Sequence, residues 1–382
     1  MGRMDKGKHE PGDGRDCVQF IGMIRTDNIS EIDSAVALSV EATIDPDFVR
    51  EFARAHEAAG FDRVLIGYHS TGPDAWAVAA HAAAHSERLH MLVAHRPGFQ
   101  APTVAARAAV TLDHFSGGRV SLNIVTGGSN SELARDGDWT AKDDRYRRTD
   151  EFLDIVRAMW TSAEPFDYDG EFYRVKNAYS DVKPLQQPSI PIYFGGASGA
   201  AVPVGAKHAD VYMFWGEPVA DTISRIETVR AAASPGRSPA FSVSVRPILG
   251  ATEPEAWDKA HGYLEQIVAH RDTAPGSAPA AGSQRLLDLA ARQEVFDDRL
   301  WMAIAAATGA GGNTSALVGT PEQVAQSLLR YYDAGVTSFL IRGFEPLQDA
   351  TEFGRELIPL VREGVERRVR AGQTANESIG SR

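Results

Sequence analysis

Near the end of its first third, the chain reads Asn123-Ile124-Val125-Thr126-Gly127-Gly128, directly after the apolar residues Val120 and Leu122. This density of apolar residues is typical of a buried strand, and the polar, glycine-rich letters that follow are typical of a turn. In parallel α/β proteins, ligands bind at the carboxyl ends of such strands. The turn after Val125 is therefore the segment that says most about function.

Segments with strand-like and helix-like patterns alternate along the chain. The predicted strands are Cys17–Ile24, Arg63–Gly67, Leu89–Ala94, Arg119–Val125, Ile190–Phe194, Val211–Phe214, Ala240–Leu249 and Ser338–Arg342. Each is followed by a segment of helical periodicity, and the first helix is marked by Asp45 as its N-cap and Pro46 at its first position. Eight strand–helix units in order favour an α/β fold of the closed (β/α)8 TIM-barrel type over a doubly wound sheet with a second domain.

The expected organisation is one barrel domain over residues 17–370, with a disordered lead-in at 1–16 and a frayed tail at 371–382. A β-hairpin is predicted at Phe166–Val175 from its Asp-Gly turn. Two stretches rich in glycine, alanine, serine and threonine flank an extra helical piece before the last strand. We therefore expect a mobile insertion at about 271–316, of the kind that forms lids at barrel mouths.

Composition narrows the classes of function. The formal net charge of -12 argues against a nucleic-acid partner, because phosphates need a positive protein surface. No apolar run approaches the length of about 18 residues that a membrane-spanning helix requires. Cys17 is the only cysteine, which rules out an intrachain disulfide and a thiolate metal site and fits a cytoplasmic protein. No pattern predicts a metal site, since His81 and His85 lie on a helix that faces away from the barrel mouth.

Polar residues gather where the predicted strands end. Gly195-Gly196-Ala197-Ser198-Gly199 follows a strand and opens a helix, so it offers free amides and a hydroxyl to a phosphate. The same letters fit a glycine turn with a serine N-cap, and both interpretations stay open here. Trp215 is either packing at the barrel mouth or a wall of an apolar pocket, and His95 is either a polar rim residue or a ligand contact.

Several longer motifs occur in order along the chain. They are Pro-Thr-Val-Ala-Ala-Arg at 102–107, Leu-Asp-His-Phe-Ser-Gly-Gly-Arg at 112–119, Asn-Ile-Val-Thr-Gly at 123–127, Asp-Asp-Arg-Tyr at 143–146, Ile-Tyr-Phe-Gly-Gly-Ala-Ser at 192–198, Trp-Gly-Glu-Pro at 215–218, Ala-Leu-Val-Gly at 316–319 and Ser-Phe-Leu-Ile-Arg-Gly at 338–343. Together they resemble the bacterial-luciferase-like flavin monooxygenases, and within them the alkanesulfonate monooxygenases. The resemblance extends over residues 18–365.

The resemblance implies a (β/α)8 barrel that works as a two-component monooxygenase. A separate NAD(P)H-dependent flavin reductase would deliver reduced FMN, and the barrel would react it with O2 to a C4a-(hydro)peroxyflavin that oxygenates a small molecule. A homodimer or homotetramer is expected. The cofactor-binding residues implied are Ala94, Asn123, Thr126, Tyr146, Gly196, Ser198 and Gly199. Trp215 would form a wall of the substrate pocket.

The substrate half of the family pattern is changed in this sequence. The cysteine of the sulfonate enzymes aligns with Gly72, and their Arg-x-His pair aligns with Ser244 and Arg246. Their tyrosine after the last strand aligns with Phe344, and their histidine after the first strand aligns near Arg25. A simple alkanesulfonate is therefore not the expected substrate.

Arginine keeps its proton near neutral pH, so Arg25 and Arg246 would hold an anion and would not act as acids. We therefore expect a small anionic or sulfur-containing organic substrate. Arg246, Arg25, His95 and Trp215 form the predicted catalytic set, with His95 or His69 as proton donor. Two alternatives stay open: an F420-dependent oxidoreductase of the same superfamily, or a flavin-binding protein without catalysis.

Overall fold

A computed structural model describes residues 17–32, 43–270, 280–312 and 314–380, and eight parallel strands in these ranges close into a barrel. In ring order they are β1 Gln19–Ile24, β2 Arg63–Ile66, β3 His90–His95, β4 Val120–Val125, β7 Ile192–Gly195, β8 Val211–Trp215, β9 Ala240–Leu249 and β13 Ser338–Ile341. The pairing of β13 with both β9 and β1 closes the ring. The predicted TIM barrel is therefore confirmed.

Helices surround the ring. They are α1 Pro46–Ala58, α2 Ala75–Ala84, α3 Pro102–Ser116, α4 Asn130–Arg135, α5 Lys142–Thr161, α6 Ala201–His208, α7 Val219–Ala232, α8 Glu253–His270, α9 Ala281–Arg292, α10 Ala303–Thr308, α11 Pro321–Asp333, α12 Pro346–Glu352 and α13 Ile358–Gly380, with a π-helical turn at Phe353–Leu357. The predicted cap of α1 is present, because the Asp45 carboxylate accepts the amides of Asp47 and Phe48. In the part of the chain that the structure describes, no helix combines the length and the apolar character that membrane crossing needs.

Successive strand residues serve two cores. Phe20, Val64 and Phe339 point outward into the main core between the barrel and its helices. Ile21, Leu92 and other residues of alternate positions point inward and pack inside the barrel. Strand side chains alternate with a period of two. The direction in which one side chain points therefore fixes the direction of every other side chain on that strand.

Five strands lie outside the ring. β5 Phe166–Asp169 and β6 Arg174–Ala178 form an antiparallel pair, as predicted for the hairpin. β10 Val295–Phe296, β11 Leu300–Trp301 and β12 Ala316–Gly319 belong to the insertion and were not predicted. β12 pairs with the upper half of β9, from Arg246 to Leu249, whereas β13 pairs with the lower half. The ten-residue length of β9 lets one strand carry both partners.

Several predicted boundaries differ from the structure. The helical pattern after β4 predicts a helix at Arg147–Thr161, but α5 begins at Lys142. The last helical pattern predicts Gln348–Val369, but the helix starts as α12 at Pro346 and continues to Gly380. The predicted lead-in at 1–16, part of the insertion at 271–279 and the last two residues lie outside the described ranges.

Candidate functional site

The carboxyl ends of β3, β4 and β7 bring together most of the predicted cofactor residues. Ala94 on β3 is the register partner of Asn123 on β4, and the last residues of β4 and β7 are partners as well. Thr126 follows β4 directly and is buried, and Gly196 follows β7. Residues far apart in the sequence therefore meet at one sector of the barrel mouth, where ligands of this fold bind.

Ser198 lies in the turn between β7 and α6, and its hydroxyl oxygen is buried without a hydrogen-bond partner among the described residues. The helical pattern predicts a helix at Ala197–Lys207, but α6 begins at Ala201, and its N-cap residue Ala200 makes no side-chain cap. Ser198 is therefore not the N-cap that one of the two sequence interpretations offered. A buried polar atom without a partner is uncommon in proteins and points to a ligand or water that is its partner.

The glycines of this turn have different surroundings. A Cβ placed on Gly195 or Gly199 would meet nothing within 4 Å, so the backbone on either side of Ser198 faces open space. A Cβ on Gly196 would lie 2.6 Å from the Cβ of Ala201. Gly196 is therefore required by packing, while Gly195 and Gly199 leave room for a group that approaches the backbone closely.

Tyr146 and Arg145, from the Asp-Asp-Arg-Tyr motif on α5, connect this turn to the loop after β4. The Tyr146 hydroxyl lies 3.5 Å from the position that a Cβ of Gly196 would take. Arg145 is buried and donates to the Thr140 carbonyl at 2.6 Å and to the Asn130 amide oxygen at 3.1 Å. Sequence reasoning missed Arg145, although its place beside Tyr146 in the motif was a usable signal.

Insertion helix α9 lies across the mouth next to Trp215. A Cβ on Gly282, near the start of α9, would be 2.9 Å from the indole ring of Trp215. A Cβ on Gly128, in the turn after β4, would be equally close to the Cβ of Ala280. The insertion therefore contacts both the predicted cofactor turn and the predicted pocket wall, at two positions where only glycine leaves enough space.

Glu217 anchors this insertion to the barrel, and the sequence analysis did not identify it. It is buried, and its carboxylate accepts from Arg225 on α7 and from both Nε and Nη2 of Arg285 on α9. The Glu217 carbonyl also accepts the Tyr331 hydroxyl at 2.6 Å. The Trp-Gly-Glu-Pro motif thus supplies both the indole under the insertion helix and the carboxylate that holds it.

Arg25 and Arg246 do lie close together, as predicted, but both are paired with carboxylates. Arg246 is buried, donates to Glu31 at 2.6 Å, and stacks its guanidinium over Phe344 at 4.6 Å. Arg25 pairs with Asp27 at 2.8 Å and lies 4.0 Å from Glu31. The two arginines are therefore not an uncompensated anion clamp, and a role in substrate binding stays a prediction.

Glu31 is the centre of this charged cluster. Arg342, at the end of β13, contributes a third guanidinium, with Nη1 3.5 Å from the Glu31 carboxylate. Burial opposes ionisation of Glu31, but the charges of Arg342, Arg246 and Arg25 outweigh it and hold the pKa of that carboxyl below its usual range. Glu31 follows β1 by seven residues in the sequence and carries no motif, so nothing in the letters marked it.

His95 does not face the mouth as the predicted catalytic set required. It is the outward neighbour of Ala94 on β3, stacks on Phe152 of α5 at 5.2 Å between ring centroids, and meets the edge of Trp76 on α2. Burial lowers the pKa of His95 to about 4, so its ring is neutral near pH 7. The other predicted donor, His69, is largely exposed and lies 4.0 Å from Glu132.

One group of described residues has the side chains of a metal site: Asp150, Asp154 and His208. The ammonium of Lys207 lies 2.8 Å from Asp150 and 2.9 Å from Asp154, so it already forms ion pairs with both carboxylates. His208 ends α6, whereas the Ser198 turn precedes that helix, so the group lies toward the opposite end of the barrel. It is not part of the candidate site.

Comparisons with known proteins agree with this architecture. The family model described as luciferase-like monooxygenase matches residues 20–338. The fold is similar to that of riboflavin lyase with a modified FMN and its substrate riboflavin (TM-score 0.75, 21% identity, 91% of this chain and 92% of that chain covered). It is also similar to EDTA monooxygenase from Chelativorans sp. BNC1 (TM-score 0.73, 18% identity, 91% and 94% covered). An F420-dependent secondary alcohol dehydrogenase in complex with an F420-acetone adduct shares the fold too (TM-score 0.65, 16% identity, 91% and 99% covered).

Proposed function

The chain belongs to the luciferase-like monooxygenase family, and we propose that it is a two-component monooxygenase that uses reduced FMN and O2 to oxygenate a small anionic organic molecule. The observation that carries the proposal is the Ser198 turn. It presents a buried hydroxyl without a partner among the described residues, between two glycines whose α-carbons face open space. A phosphate group would accept from this hydroxyl and from backbone amides at the same time.

Other residues fit the remaining parts of FMN. The Asn123 amide oxygen, on the inner face of β4, is buried without a partner among the described residues and can accept an N–H of a flavin ring. Ala94 beside it is small enough to let a flat ring approach. FMN, when bound in its reduced form, supplies the electrons with which O2 is activated. The chain's own contribution is to hold the phosphate, orient the ring and keep water away from it.

The insertion helix suits the exclusion of water. α9 lies against Trp215 and against Gly128, and the Arg285–Glu217 ion pair holds it there. Its removal from the mouth would admit water to both the cofactor turn and the pocket wall. We propose that α9 closes over bound FMN and substrate, in the manner of barrel lids.

An anionic substrate is favoured by the arginines on the opposite sector of the mouth. Arg25 and Arg342 keep about a fifth of their side-chain surface exposed, whereas Arg246 is nearly inaccessible. A carboxylate or sulfonate could contact the first two, while Arg246 with Glu31 supports them from below. The supply of reduced FMN by a separate flavin reductase and assembly as a homodimer or homotetramer belong to the same proposal.

The first experiment measures binding of FMN and of riboflavin, which lacks the phosphate, to wild type and to Ser198→Ala. Loss of one hydrogen bond to a charged group costs about 1.5–3 kcal/mol, so FMN should bind roughly 10- to 100-fold more weakly. Riboflavin affinity should stay the same. Ser224→Ala, on the exposed face of α7, is the matched control. Equal weakening of both ligands would remove Ser198 from the phosphate site.

A second experiment separates monooxygenase activity from the two alternatives. Protein loaded with reduced FMN under anaerobic conditions is mixed with O2 in the presence of panels of organic carboxylates and sulfonates. Substrate-dependent product, with less hydrogen peroxide released, supports the proposal. Binding without any such product would favour a flavin-binding protein without catalysis. Absence of FMN binding together with tight F420 binding would favour an F420-dependent oxidoreductase.

A further inference from the structure

The floor of the barrel, at the end opposite the mouth, contains a buried arginine. Arg63 on β2 is 7% exposed and points inward, as does Leu65 two residues later. Its Nη1 donates to the Ser121 hydroxyl on β4 at 2.7 Å, and its guanidinium carbon lies 5.1 Å from the centroid of Tyr193. Arg63 therefore reaches across the barrel interior.

This guanidinium has no counter-ion in the part of the chain that the structure describes. No carboxylate oxygen of residues 17–32, 43–270, 280–312 or 314–380 lies within 4 Å of it, and its Nε is buried without a hydrogen-bond partner. Burial raises the pKa of Tyr193 despite the nearby Arg63, so that phenol keeps its proton and is not the missing anion. Buried charges in proteins are normally paired, so this one calls for a partner.

The strand registers show which other side chains share the floor with Arg63. Barrel strands are tilted, so side chains of one layer come from alternate strands and advance by two residues at each step. Arg63, Ser121, Val211 and Ser338 form one such layer, on β2, β4, β8 and β13. Ile21, Leu92, Tyr193 and Ser242 form the layer directly above.

These two layers are polar and contain small side chains. Barrel interiors are ordinarily filled by branched apolar residues, yet three of these eight positions are serines. Ser242 and Ser338 are register partners on β9 and β13, are 0% and 3% exposed, and both have hydroxyl oxygens without a partner among the described residues. A cation and hydroxyl groups of three strands therefore line the floor.

We propose that the barrel floor binds one small monovalent anion of the halide class, held by Arg63 together with the hydroxyls of Ser121, Ser242 and Ser338. The hydroxyls donate to the anion, and a serine that already accepts from Arg63 can still donate its own proton. A single guanidinium matches a single negative charge. Water alone would satisfy the serines but would leave Arg63 without an ion-pair partner within 4 Å among the described residues. This site is separate from the mouth and does not depend on the proposed function.

The proposal is tested first by thermal unfolding of the full chain without flavin. Sodium chloride replaces sodium gluconate at constant ionic strength, so that only specific binding of chloride changes the midpoint. Above its dissociation constant, each tenfold rise in chloride should raise the wild-type midpoint by about 1–2 °C. Arg63→Met and the double variant Ser242→Ala/Ser338→Ala should each lose this dependence. Ser327→Ala, a buried hydroxyl on α11 bonded to the Gln323 carbonyl, should keep it.

Crystals grown with sodium bromide give the direct measurement. An anomalous peak between Arg63 and the two serines, absent from the serine double variant, is the expected result, and it decides the matter even if Arg63→Met fails to fold. Wild type without chloride dependence and with only water in the floor would overturn the proposal. A chloride effect of equal size in the serine double variant, with bromide only on the outer surface, would overturn it too.

Discussion

Close packing and single hydrogen bonds shape the turns after β4 and β7, whereas residues on or just after β1, β9 and β13 meet through ion pairs. The first group, the glycine side, comprises residues 126–128 and 195–199. The second, the arginine side, comprises Arg25, Arg246, Arg342 and Glu31. On the glycine side, close packing and single hydrogen bonds set the shape. On the arginine side, one carboxylate holds guanidiniums from three strands.

The two sides differ in how far apart along the sequence their interacting residues lie. The Ser198 turn is closed by residues close in the sequence: the Ala201 amide donates to the Ser198 carbonyl at 3.0 Å, and the Tyr212 hydroxyl, 16 positions away, donates to the Gly196 carbonyl at 2.8 Å. The Glu31–Arg246 pair joins residues 215 positions apart. A site made of local turns tolerates change elsewhere, while a site made of distant charges depends on the whole barrel being closed. Four predictions test this contrast.

Removal of Glu31 should have the largest effect. Glu31→Ala takes away the carboxylate on which three buried or half-buried guanidiniums converge, and such a change typically destabilises by about 3–5 kcal/mol. Urea unfolding measures the loss. Glu363→Ala, in an exposed i,i+4 pair with Arg367, is the control and should change stability by less than about 1 kcal/mol. If Glu31→Ala costs no more than that control, the arginine side is not held by its charges.

Two glycine substitutions distinguish a glycine required for packing from a glycine required for FMN binding on the glycine side. Gly196→Ala should destabilise by about 1–3 kcal/mol, because its Cβ would lie 2.6 Å from that of Ala201. Gly199→Ala should leave stability nearly unchanged, since its Cβ meets nothing within 4 Å, but should weaken FMN binding. Unfolding and FMN titration are measured on both variants. Identical behaviour of the two would show that the Ser198 turn has no open cradle.

Lowering the pH should destabilise the protein through His95, on the outer face of β3, before it affects the arginine side. His95 has a folded pKa of about 4 against 6.5 when unfolded, so the unfolded chain gains a proton first and stability falls between those values, by about 2 kcal/mol from pH 7 to pH 5. The pKa of Glu31 is lowered, so its contribution is lost only below about 4.5.

His95→Leu should therefore flatten the pH dependence of unfolding between pH 7 and pH 5. Part of the slope should remain, because burial also lowers the pKa of His56 to about 4. His114→Leu, exposed on α3, is the control and should keep the full wild-type slope. If His95→Leu keeps the wild-type slope, then the His95 ring of the wild-type protein takes up its proton in the folded state as readily as in the unfolded chain.

Opening of the lid should have the smallest effect on stability. Arg285→Ala removes a half-exposed partner of Glu217 and should cost less than about 1 kcal/mol. It should nevertheless speed FMN dissociation and raise the share of hydrogen peroxide, because α9 would no longer be held against Trp215. Arg292→Ala, at the far end of α9, serves as the control. Unchanged FMN dissociation in Arg285→Ala would show that the ion pair does not hold α9 closed.

Much of the fold could be predicted because its signals are periodic and local. The β9 boundaries were predicted correctly, and the Asp45–Pro46 cap of α1 is present as expected. β12 was missed because four apolar residues after a glycine-rich stretch carry no clear period. The start of α6 was placed too early because Ser198 has the letters of an N-cap, while its hydroxyl accepts no amide of the helix.

Some residues of the candidate site could likewise be predicted from the sequence, and others could not. Thr126 and the Ser198 turn could be proposed from the strand pattern because each follows a recognisable strand, whereas Ala94 and Asn123 were implied only by the family resemblance. His95 was misplaced for the opposite reason: as the neighbour of Ala94 it must face the other side of β3, and only the paired strands show which side is inward. Glu217 and Glu31 have no motif that marks them as anchors.

The order of strands and helices, the glycine turns and the family resemblance are properties of the linear chain, because propensity, capping and periodicity act over a few residues. The partners of charged groups were decided only by closure of the barrel. Arg246 meets Glu31, Arg285 meets Glu217 and Arg63 enters the floor without a carboxylate within 4 Å among the described residues. Coulomb and desolvation energies depend on distance and burial in space, and neither is encoded by separation along the sequence.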